Sequence, residues 1–165
     1  MSSDFFIFKS DNVRQTRSLA KKLSKILKNG DRIALYGSLG AGKSEFARTI
    51  IKNLTPGKTN IPSPTFTLVQ PYSTRLGTIY HIDLYRLNSA SELYDIGIPD
   101  IFFQGISLIE WPQIAQVFLS SSTLNIYFKA QGEHEREIKL EVSNAWKERL
   151  APLTKLPNLE VFYEK

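Results

Sequence analysis

The chain has 165 residues, of which 42% are hydrophobic, and this length and composition fit one compact domain with a core of ordinary size. It contains no cysteine and only two histidines, which excludes disulfides, thiolate metal sites and cysteine nucleophiles and argues against a polyhistidine metal site. The formal charge of +5 is uneven, because residues 1–60 hold 12 Lys/Arg against 4 Asp/Glu while residues 61–165 hold 9 against 12.

The chain begins with MSSDFFIFKSD, which carries acids near both ends and lacks the long apolar run of a secretion signal. The later apolar runs are too short to cross a bilayer. We therefore expect a cytoplasmic protein without a membrane contact. Within this opening segment, FFIFK predicts a short strand.

A basic helix is predicted next, in NVRQTRSLAKKLSKILK, beginning after Ser10 or Asp11 as N-cap and ending at Asn29-Gly30. One helical face is apolar and is formed by Val13, Ala20, Leu23 and Leu27. The opposite face is basic and is formed by Arg14, Arg17, Lys21, Lys25 and Lys28. This basic face can contact RNA or an acidic protein, but a solvated outer face is favoured because no aromatic residue interleaves the charges.

The stretch GSLGAGKSEF connects a predicted buried strand, RIALYG, to a predicted helix from Lys43 to about Leu54. Residues 37–44 satisfy the pattern G-x-x-x-x-G-K-[ST] in full. In this pattern, glycines let backbone N–H groups surround phosphate oxygens, and the following helix points its positive dipole end at the same anion. We expect Lys43 to bridge the β- and γ-phosphates and the Ser44 hydroxyl to bind Mg²⁺.

The chain then becomes irregular through TPGKTNIPSPTF, where the hydroxyls of Ser63 and Thr65 can respond to a γ-phosphate or simply cap turns. Two strands are predicted in TLVQPY and GTIYHIDLY, joined by the turn STRLG. A short helix follows, with Ser89 as its capping residue and with Gly97 and Pro99 ending it.

Two acids end predicted strands and are candidates for work on the metal. Asp83 ends GTIYHID and Glu110 ends ISLIE, so either carboxylate can meet Mg²⁺ directly or through water, while the other orients the attacking water. His81 lies on the same strand face as Asp83 and can tune the acid or serve only as a structural histidine. Trp111 can pack near the nucleotide or in the core.

The rest of the chain predicts a hairpin, LNIYFKA and REIKLEV around QGEHE, and a last helix near NAWKERLAPL. Strands alternating with helices predict an α/β fold. We expect a single-domain P-loop NTPase-type α/β sandwich over residues 1–165, with a mixed central sheet and a C-terminal antiparallel hairpin.

Several motifs in one order give a more specific indication than the phosphate loop alone. They are LYGSLGAGKSEFAR, PSPTFTLVQPY, YHIDLYRL, ELYDIGIPDIF, LIEWP and AQGEHER, which span residues 35 to about 136. In these motifs the chain resembles the TsaE family, also called the YjeE family, of small bacterial P-loop ATPases.

The resemblance implies an ATP- and Mg²⁺-dependent ATPase that serves the threonylcarbamoyl adenosine modification of tRNAs reading codons that begin with adenine. It implies partners of the TsaD and TsaB types, with tRNA reached through their complex. By position, Lys43 is the phosphate lysine, Ser44 and Glu110 are Mg²⁺ ligands, and Asp83 is a catalytic acid. The backbone groups that would wrap the phosphates belong to Gly40, Ala41, Gly42, Lys43, Ser44 and Glu45. The residues that would border the nucleoside are Ser10, Val13 and Gly132.

One departure concerns nucleotide affinity. The family loop usually reads Gly-Lys-Thr-Thr, whereas this chain has Ser44 followed by Glu45. Serine keeps the metal hydroxyl, but a carboxylate beside a triphosphate repels it unless it turns to solvent. The alternative function is a small-molecule P-loop kinase, which usually has an arginine-rich lid, whereas residues 112–125 contain no Arg or Lys.

Overall fold

The computed structural model describes residues 3–57 and 60–165, and within these ranges eight strands form one sheet. The strands are Asp4–Ser10 (β1), Arg32–Tyr36 (β2), Val69–Thr74 (β3), Gly77–Asp83 (β4), Ile106–Glu110 (β5), Leu124–Ala130 (β6), Arg136–Val142 (β7) and Leu159–Phe162 (β8). The α-helices are Val13–Ser24 (α1), Lys43–Leu54 (α2), Ser91–Asp95 (α3), Ile98–Ile101 (α4) and Lys147–Leu150 (α5), with 3₁₀ segments at Pro112–Phe118 and Ala151–Lys155. Residues 58–59 of the predicted irregular segment lie outside the described residues.

The sheet has the order β3-β4-β5-β2-β6-β7-β1-β8. Its centre, β4-β5-β2-β6, is parallel, and the strands on either side are antiparallel. The predicted α/β fold with a mixed sheet and a β6–β7 hairpin is therefore confirmed. The sequence did not predict β8, which has four residues and pairs along β1. None of the described helices is long and apolar enough to cross a membrane.

Helices cover both faces of the parallel part of the sheet, and two apolar cores result. The larger core packs α1 and α2 against one face, to which Ile79 of β4 and Leu108 of β5 contribute. The smaller core packs α3, α4 and the Pro112–Phe118 segment against the other face, on Ile82 and Ile109. Side chains alternate along a strand, so the last residues of β4 and β5, Asp83 and Glu110, lie on the same face as Ile79 and Leu108. Both acids therefore lie on the face that α2 covers.

The predicted first helix is wrong at both ends. Its N-cap is Asn12, whose side chain accepts a hydrogen bond from the Gln15 N–H (3.1 Å), rather than Ser10 or Asp11. Val13 is 49% exposed because it precedes the buried stripe, so its predicted core position is wrong too. The helix ends at Ser24, whose hydroxyl donates to the Lys21 carbonyl (2.6 Å) and so competes with the helical hydrogen-bond pattern.

Two later helix boundaries also differ from the prediction. The N-cap of α3 is Ala90 without a side-chain cap; Ser89 instead accepts through its backbone carbonyl from the Glu92 N–H (3.3 Å). Gly97 adopts a left-handed conformation between α3 and α4, and Pro99 lies in the first turn of α4 rather than ending α3. The predicted last helix is only one turn, α5, which continues as the 3₁₀ segment Ala151–Lys155.

Candidate functional site

The loop between β2 and α2 has a conformation that depends on glycine. Gly37 has φ 150°, and a Cβ at this position would lie 2.7 Å from the Phe128 carbonyl oxygen of β6. Gly40 and Gly42 have φ angles of 75° and 109°, which side chains other than glycine rarely adopt. The loop therefore bends tightly while it packs against β6.

Lys43 points its ammonium group back into this loop. Its Nζ donates to the carbonyls of Gly37 (2.6 Å) and Ser38 (2.8 Å) and lies 4.3 Å from the centre of the Trp111 ring. Burial lowers the pKa of Lys43, while the charges of Glu110 and Asp83 oppose that shift. The site therefore places a cation inside the glycine loop, supported by two carboxylates.

The first turn of α2 offers backbone N–H groups beside this cation. The first described helical hydrogen bond runs from the Phe46 N–H to the Gly42 carbonyl (3.0 Å). The amides of Lys43, Ser44 and Glu45 precede it, at the positions where a helix has no internal acceptor for its N–H groups. An anion at this helix end meets both those donors and the positive end of the helix dipole.

Glu110, at the end of β5, is held by two short hydrogen bonds. Ser44 Oγ donates to its Oε1 (2.5 Å), and His81 Nε2 pairs with its Oε2 (2.6 Å). The side chains of Glu110 and His81 are 2% and 0% exposed, and His81 Nδ1 has no hydrogen-bond partner among the described residues. Burial raises the pKa of Glu110, but the hydrogen bond and charge of His81, with smaller effects of Ser44 and Lys43, bring it below its ordinary value.

Asp83 ends β4 directly opposite Glu110 in the parallel register. Its Oδ1 accepts from the Tyr85 N–H (2.9 Å), and its Oδ2 accepts from Thr65 Oγ1 (3.2 Å). Ser63 Oγ lies 2.8 Å from Thr65 Oγ1. The hydroxyls of the irregular segment thus form a chain that reaches Asp83, in addition to any role they have in local turns.

Trp111 follows Glu110 in a left-handed conformation (φ 55°), which is uncommon for a bulky residue. One side of its ring faces Lys43, and the Tyr85 ring centre lies 4.8 Å away. It also packs against the smaller apolar core. The core interpretation of Trp111 is therefore confirmed, and the same ring also borders the pocket, where contact with a nucleotide stays a prediction.

These groups line one open pocket of about 300 Å³. Its lining residues are Leu39, Gly40, Ala41, Gly42, Lys43, Ser44, Glu45, Arg48, Thr65, Asp83, Glu110 and Trp111. The structure thus brings together the predicted loop, the predicted lysine and serine, and both strand-end acids, which come from three separate strands and one helix.

Two of the residues expected beside the nucleoside lie at the end of β1 and the start of α1, outside the described lining of this pocket. Ser10 is buried, and its hydroxyl contacts the Asn12 carbonyl and Thr16 Oγ1, both at 2.7 Å. Val13 is exposed at the first turn. Neither side chain therefore belongs to the described lining of the pocket that contains the phosphate loop.

The third such residue, Gly132, reaches the loop through Arg136. Arg136 Nη1 donates to the Gly132 carbonyl (3.2 Å), and its Nη2 donates to the Gly40 carbonyl (3.2 Å). A neighbouring cavity of about 310 Å³ is lined by Lys9, Ser10, Asp11, Gln131, Glu135, Arg136 and Glu137. Ser10 and the hairpin therefore share a space that adjoins the phosphate loop through Arg136.

Sequence reasoning missed three arginines at this site. Arg136 has the loop contact just described, and Arg17 and Arg48 both pair with Glu45. Arg136 lies within the AQGEHER motif, which singled out the segment but gave this side chain no role. Arg17 was interpreted only as one of five exposed cations, since the sequence holds no signal that α1 crosses the start of α2.

A family model, several known proteins and a solved structure each match most of this chain. The family model described as "Threonylcarbamoyl adenosine biosynthesis protein TsaE" matches residues 10–138. The tRNA threonylcarbamoyladenosine biosynthesis protein TsaE of Rickettsia felis is 42% identical over 126 residues, covering 76% of this chain and 74% of that protein. Its namesake from Bacillus subtilis is 38% identical over 129 residues, covering 77% and 79%. The crystal structure of Bacillus subtilis YdiB has a TM-score of 0.75 and 30% identity, covering 94% of this chain and 97% of that chain.

Proposed function

The chain belongs to the TsaE family of threonylcarbamoyl adenosine biosynthesis proteins, and from this we propose that it is a cytoplasmic, Mg²⁺-dependent ATPase. Its turnover would serve a TsaB–TsaD partner complex that modifies tRNAs reading codons that begin with adenine. The observation that carries the proposal is the convergence of Lys43, Ser44 and Glu110 at the N-terminus of α2, beside a loop built on glycine.

Triphosphate binding is supported by charge and by donor geometry. Lys43 supplies a buried cation, and the amides at the start of α2 supply N–H donors directed toward the same pocket. The glycines of the loop leave room for phosphate oxygens where side chains would otherwise stand. In this proposal Lys43 contacts the β- and γ-phosphates, and the backbone from Gly40 to Glu45 surrounds them.

Magnesium fits the donor set of the same pocket. Ser44 Oγ and Glu110 Oε1 are hard oxygen donors 2.5 Å apart, and these two residues would hold the ion. No group of three or more His, Asp or Glu side chains within residues 3–57 and 60–165 converges as a metal site. That agrees with Mg²⁺ sites that take one or two protein oxygens and complete their shell with phosphate and water. A bound Mg²⁺ would neutralise charge that develops on the phosphates.

Asp83 is proposed to orient the attacking water. Its carboxylate lies beside Glu110 at the pocket wall and accepts hydrogen bonds from the Tyr85 N–H and Thr65 Oγ1. These contacts fix the carboxylate and leave it at the pocket surface as a hydrogen-bond acceptor. Thr65 links this acid to the irregular segment, so a change in the position of Thr65 would alter the hydrogen bonding of Asp83.

A dependence on partners is supported by the charges and the rim of the pocket. Lys43 and Arg48 are the cations in the described lining, and Arg48 is already paired with Glu45. In the nucleotide-free structure this described lining therefore offers no unpaired arginine, the kind of residue that stabilises the transition state of P-loop NTPases by about 10³–10⁵ in rate. Leu39, which lines the pocket, and Phe66, which follows Thr65 in the chain, are 68% and 85% exposed, and a partner surface can cover them.

The test is ATP hydrolysis by the purified chain, alone and with a TsaB–TsaD complex and tRNA. We expect slow hydrolysis alone and stimulation of at least about tenfold by the partners, since an in-trans group or ordering step is required. Equal rates with and without the partners would refute the partner-dependent part of the proposal.

The Lys43→Ala variant tests the site, and Arg75→Ala is its matched control. We expect it to lose ATP binding by about 100-fold or more, because the phosphates lose their buried cation. Arg75→Ala removes one positive charge from the exposed turn between β3 and β4, at the opposite end of β4 from Asp83, and should bind ATP as the unaltered chain does. Unchanged ATP binding by Lys43→Ala would remove the loop from the proposed site.

A further inference from the structure

Three charged side chains form a cluster at the edge of the candidate nucleotide pocket. This mouth cluster consists of Arg17 on α1 and Glu45 and Arg48 on α2. Arg17 Nε lies 2.5 Å from one Glu45 carboxylate oxygen, and Arg48 Nη2 lies 3.3 Å from the other. The side chains of Arg17, Glu45 and Arg48 are 50%, 26% and 31% exposed.

Glu45 has an unusual place for a carboxylate. It directly follows Ser44 and lines the same pocket as Lys43, so an unpaired charge there would repel a triphosphate. The structure shows that the carboxylate does not turn freely to solvent, because two guanidinium groups hold its two oxygens. Burial tends to raise the pKa of Glu45, but the hydrogen bonds and charges of Arg17 and Arg48 hold it below its ordinary value.

Two guanidinium groups around a carboxylate also constitute a site for phosphate. Planar N–H donors in this arrangement bind carboxylate and phosphate oxygens by the same charge-assisted hydrogen bonds. Arg48 and Glu45 line both the nucleotide pocket and an adjoining groove of about 460 Å³. The other residues of that groove include Lys21 and Lys52, so the local charge stays positive with Glu45 in place.

We propose that Glu45 is a built-in competitor of the nucleotide. In the nucleotide-free chain its carboxylate occupies an anion subsite formed by Arg17 and Arg48, and a phosphate group of the bound nucleotide displaces it there. The inference rests on the proposed ATP site and assigns to that site two arginines that the phosphate-loop pattern does not contain.

The contacts of the cluster suit an exchange of this kind. Arg17 and Arg48 are partly exposed, so each ion pair with Glu45 is screened by water and salt and is easily broken. A triphosphate carries more charge than one carboxylate and gains the loop amides and Lys43 in addition. Because the nucleotide must displace Glu45, its affinity should be lower by a modest factor than it would be without this carboxylate, but binding should still occur.

The experiment measures equilibrium binding of ATP, ADP and adenosine at about 0.05 M and 0.5 M salt. For Glu45→Gln we expect ATP to bind about three- to tenfold more tightly at low salt, because Arg17 and Arg48 no longer pair with a carboxylate and can bind phosphate. The gain should shrink at high salt, and adenosine binding should not change because adenosine carries no phosphate. Arg48→Ala should weaken ATP binding and remove most of the gain when combined with Glu45→Gln.

Glu148→Gln is the control for net charge, because it removes one acid from an exposed position on α5. It should leave ATP binding unchanged. Unchanged or weaker ATP binding by Glu45→Gln, with the unaltered chain binding ATP, would overturn this inference alone. An equal gain for adenosine would also overturn it, since the effect would then not involve phosphate. Absence of ATP binding by the unaltered chain would overturn both this inference and the proposed function.

Discussion

Ser44 and Glu45 are consecutive residues in the first turn of α2, yet they belong to different electrostatic environments. Ser44 donates to Glu110, whose side chain is 2% exposed and also pairs with the fully buried His81. Glu45 pairs with Arg17 and Arg48 at a mouth where those side chains are 50% and 31% exposed. One step along the helix thus separates two groups. Ser44 belongs to a buried inner network with Glu110 and His81, and Glu45 belongs to the mouth cluster, which water and salt screen.

The loss of a hydrogen-bond or ion-pair partner has different costs in these two groups, although both lie at the same helix end. Within the inner network, removal of one partner leaves a buried charge or a buried polar group without compensation, which is costly. Within the mouth cluster, water and salt replace a lost partner at little cost. We therefore expect the inner network to decide whether catalysis occurs and the mouth cluster to adjust how tightly the nucleotide binds.

The largest expected effect comes from Glu110→Gln, which keeps the size of the side chain and removes its charge. We expect Mg²⁺-dependent ATP hydrolysis to fall by about 100-fold or more, with a much smaller change in ATP binding without Mg²⁺, because the proposed metal ligand is weakened. Steady-state kinetics and equilibrium binding on the same preparation check both parts.

The charge-matched Glu148→Gln variant should hydrolyse ATP at the unaltered rate. If Glu110→Gln kept full activity, Glu110 would have to leave the proposed site. If it lost ATP binding without Mg²⁺ to the same degree as hydrolysis, the inner network would be acting on the fold of the loop rather than on the metal.

Much of the inner network was predictable from sequence because its signals are local. The glycine pattern fixed the loop between a strand and a helix, and acids that end apolar strands marked Asp83 and Glu110. Parallel strands bring their carboxyl ends to one edge, so these residues had to converge once β2, β4 and β5 were neighbours. Strand alternation likewise placed His81 on the face of Asp83, although its contact with Glu110 requires the register between two strands.

Two contacts around this network were not predictable, because they join residues that are distant in the chain, whereas the Arg48–Glu45 pair of the mouth cluster has helical spacing. Arg17 meets Glu45 across 28 positions, and Arg136 meets Gly40 across 96. Such contacts depend on how α1 crosses α2 and on where the hairpin turn lies, and neither leaves a local pattern. The ends of the first helix differ from the prediction for another reason, since local side-chain contacts of Asn12 and Ser24 set them, whereas the capping rules favoured Ser10 or Asp11 at the start and Asn29-Gly30 at the end.

An intermediate effect is expected for Arg136→Ala, which tests the contact between the β6–β7 hairpin and the phosphate loop. Arg136 joins the hairpin carbonyls of Gly132 and Glu135 to the Gly40 carbonyl of the loop. Without this link the loop should be less well ordered for phosphate, and we expect the Kd for ATP to rise about three- to tenfold. Arg136→Lys should recover only part of the lost affinity. One ammonium group lacks the planar guanidinium that contacts both the hairpin carbonyls and the Gly40 carbonyl.

Isothermal titration with ATP measures this effect, and Arg75→Ala controls for loss of one positive charge at the far end of β4. Equal affinities for Arg136→Ala and the unaltered chain would show that the hairpin does not order the loop. A rise in Kd as large as that expected for Lys43→Ala would place Arg136 among the phosphate contacts themselves.

The smallest effect concerns the pH dependence of stability in the mouth cluster. The pKa of Glu45 is lowered in the folded chain, against the trend of burial, by hydrogen bonds from Arg17 and Arg48 and by their charges. A carboxyl with a depressed pKa stabilises the fold above its unfolded pKa and loses that contribution as pH falls through the folded value. Chemical unfolding of the unaltered chain and Glu45→Gln should differ by at most about 1 kcal/mol at pH 7, after screening. The difference should shrink as pH falls below about 4.3, the ordinary pKa of Glu, and through the lowered folded pKa of Glu45.

This last measurement separates the two possible purposes of Glu45. A carboxylate present only for stability would make Glu45→Gln less stable and leave ATP affinity unaltered. A competitor for Arg17 and Arg48 makes the same variant slightly less stable and a better binder of ATP at low salt. Opposite signs in the two measurements at pH 7 are therefore expected, because the arginines that lose a carboxylate partner become available to phosphate. A difference in stability that did not shrink as pH fell below the ordinary pKa of Glu would contradict the ion-pair origin of the effect.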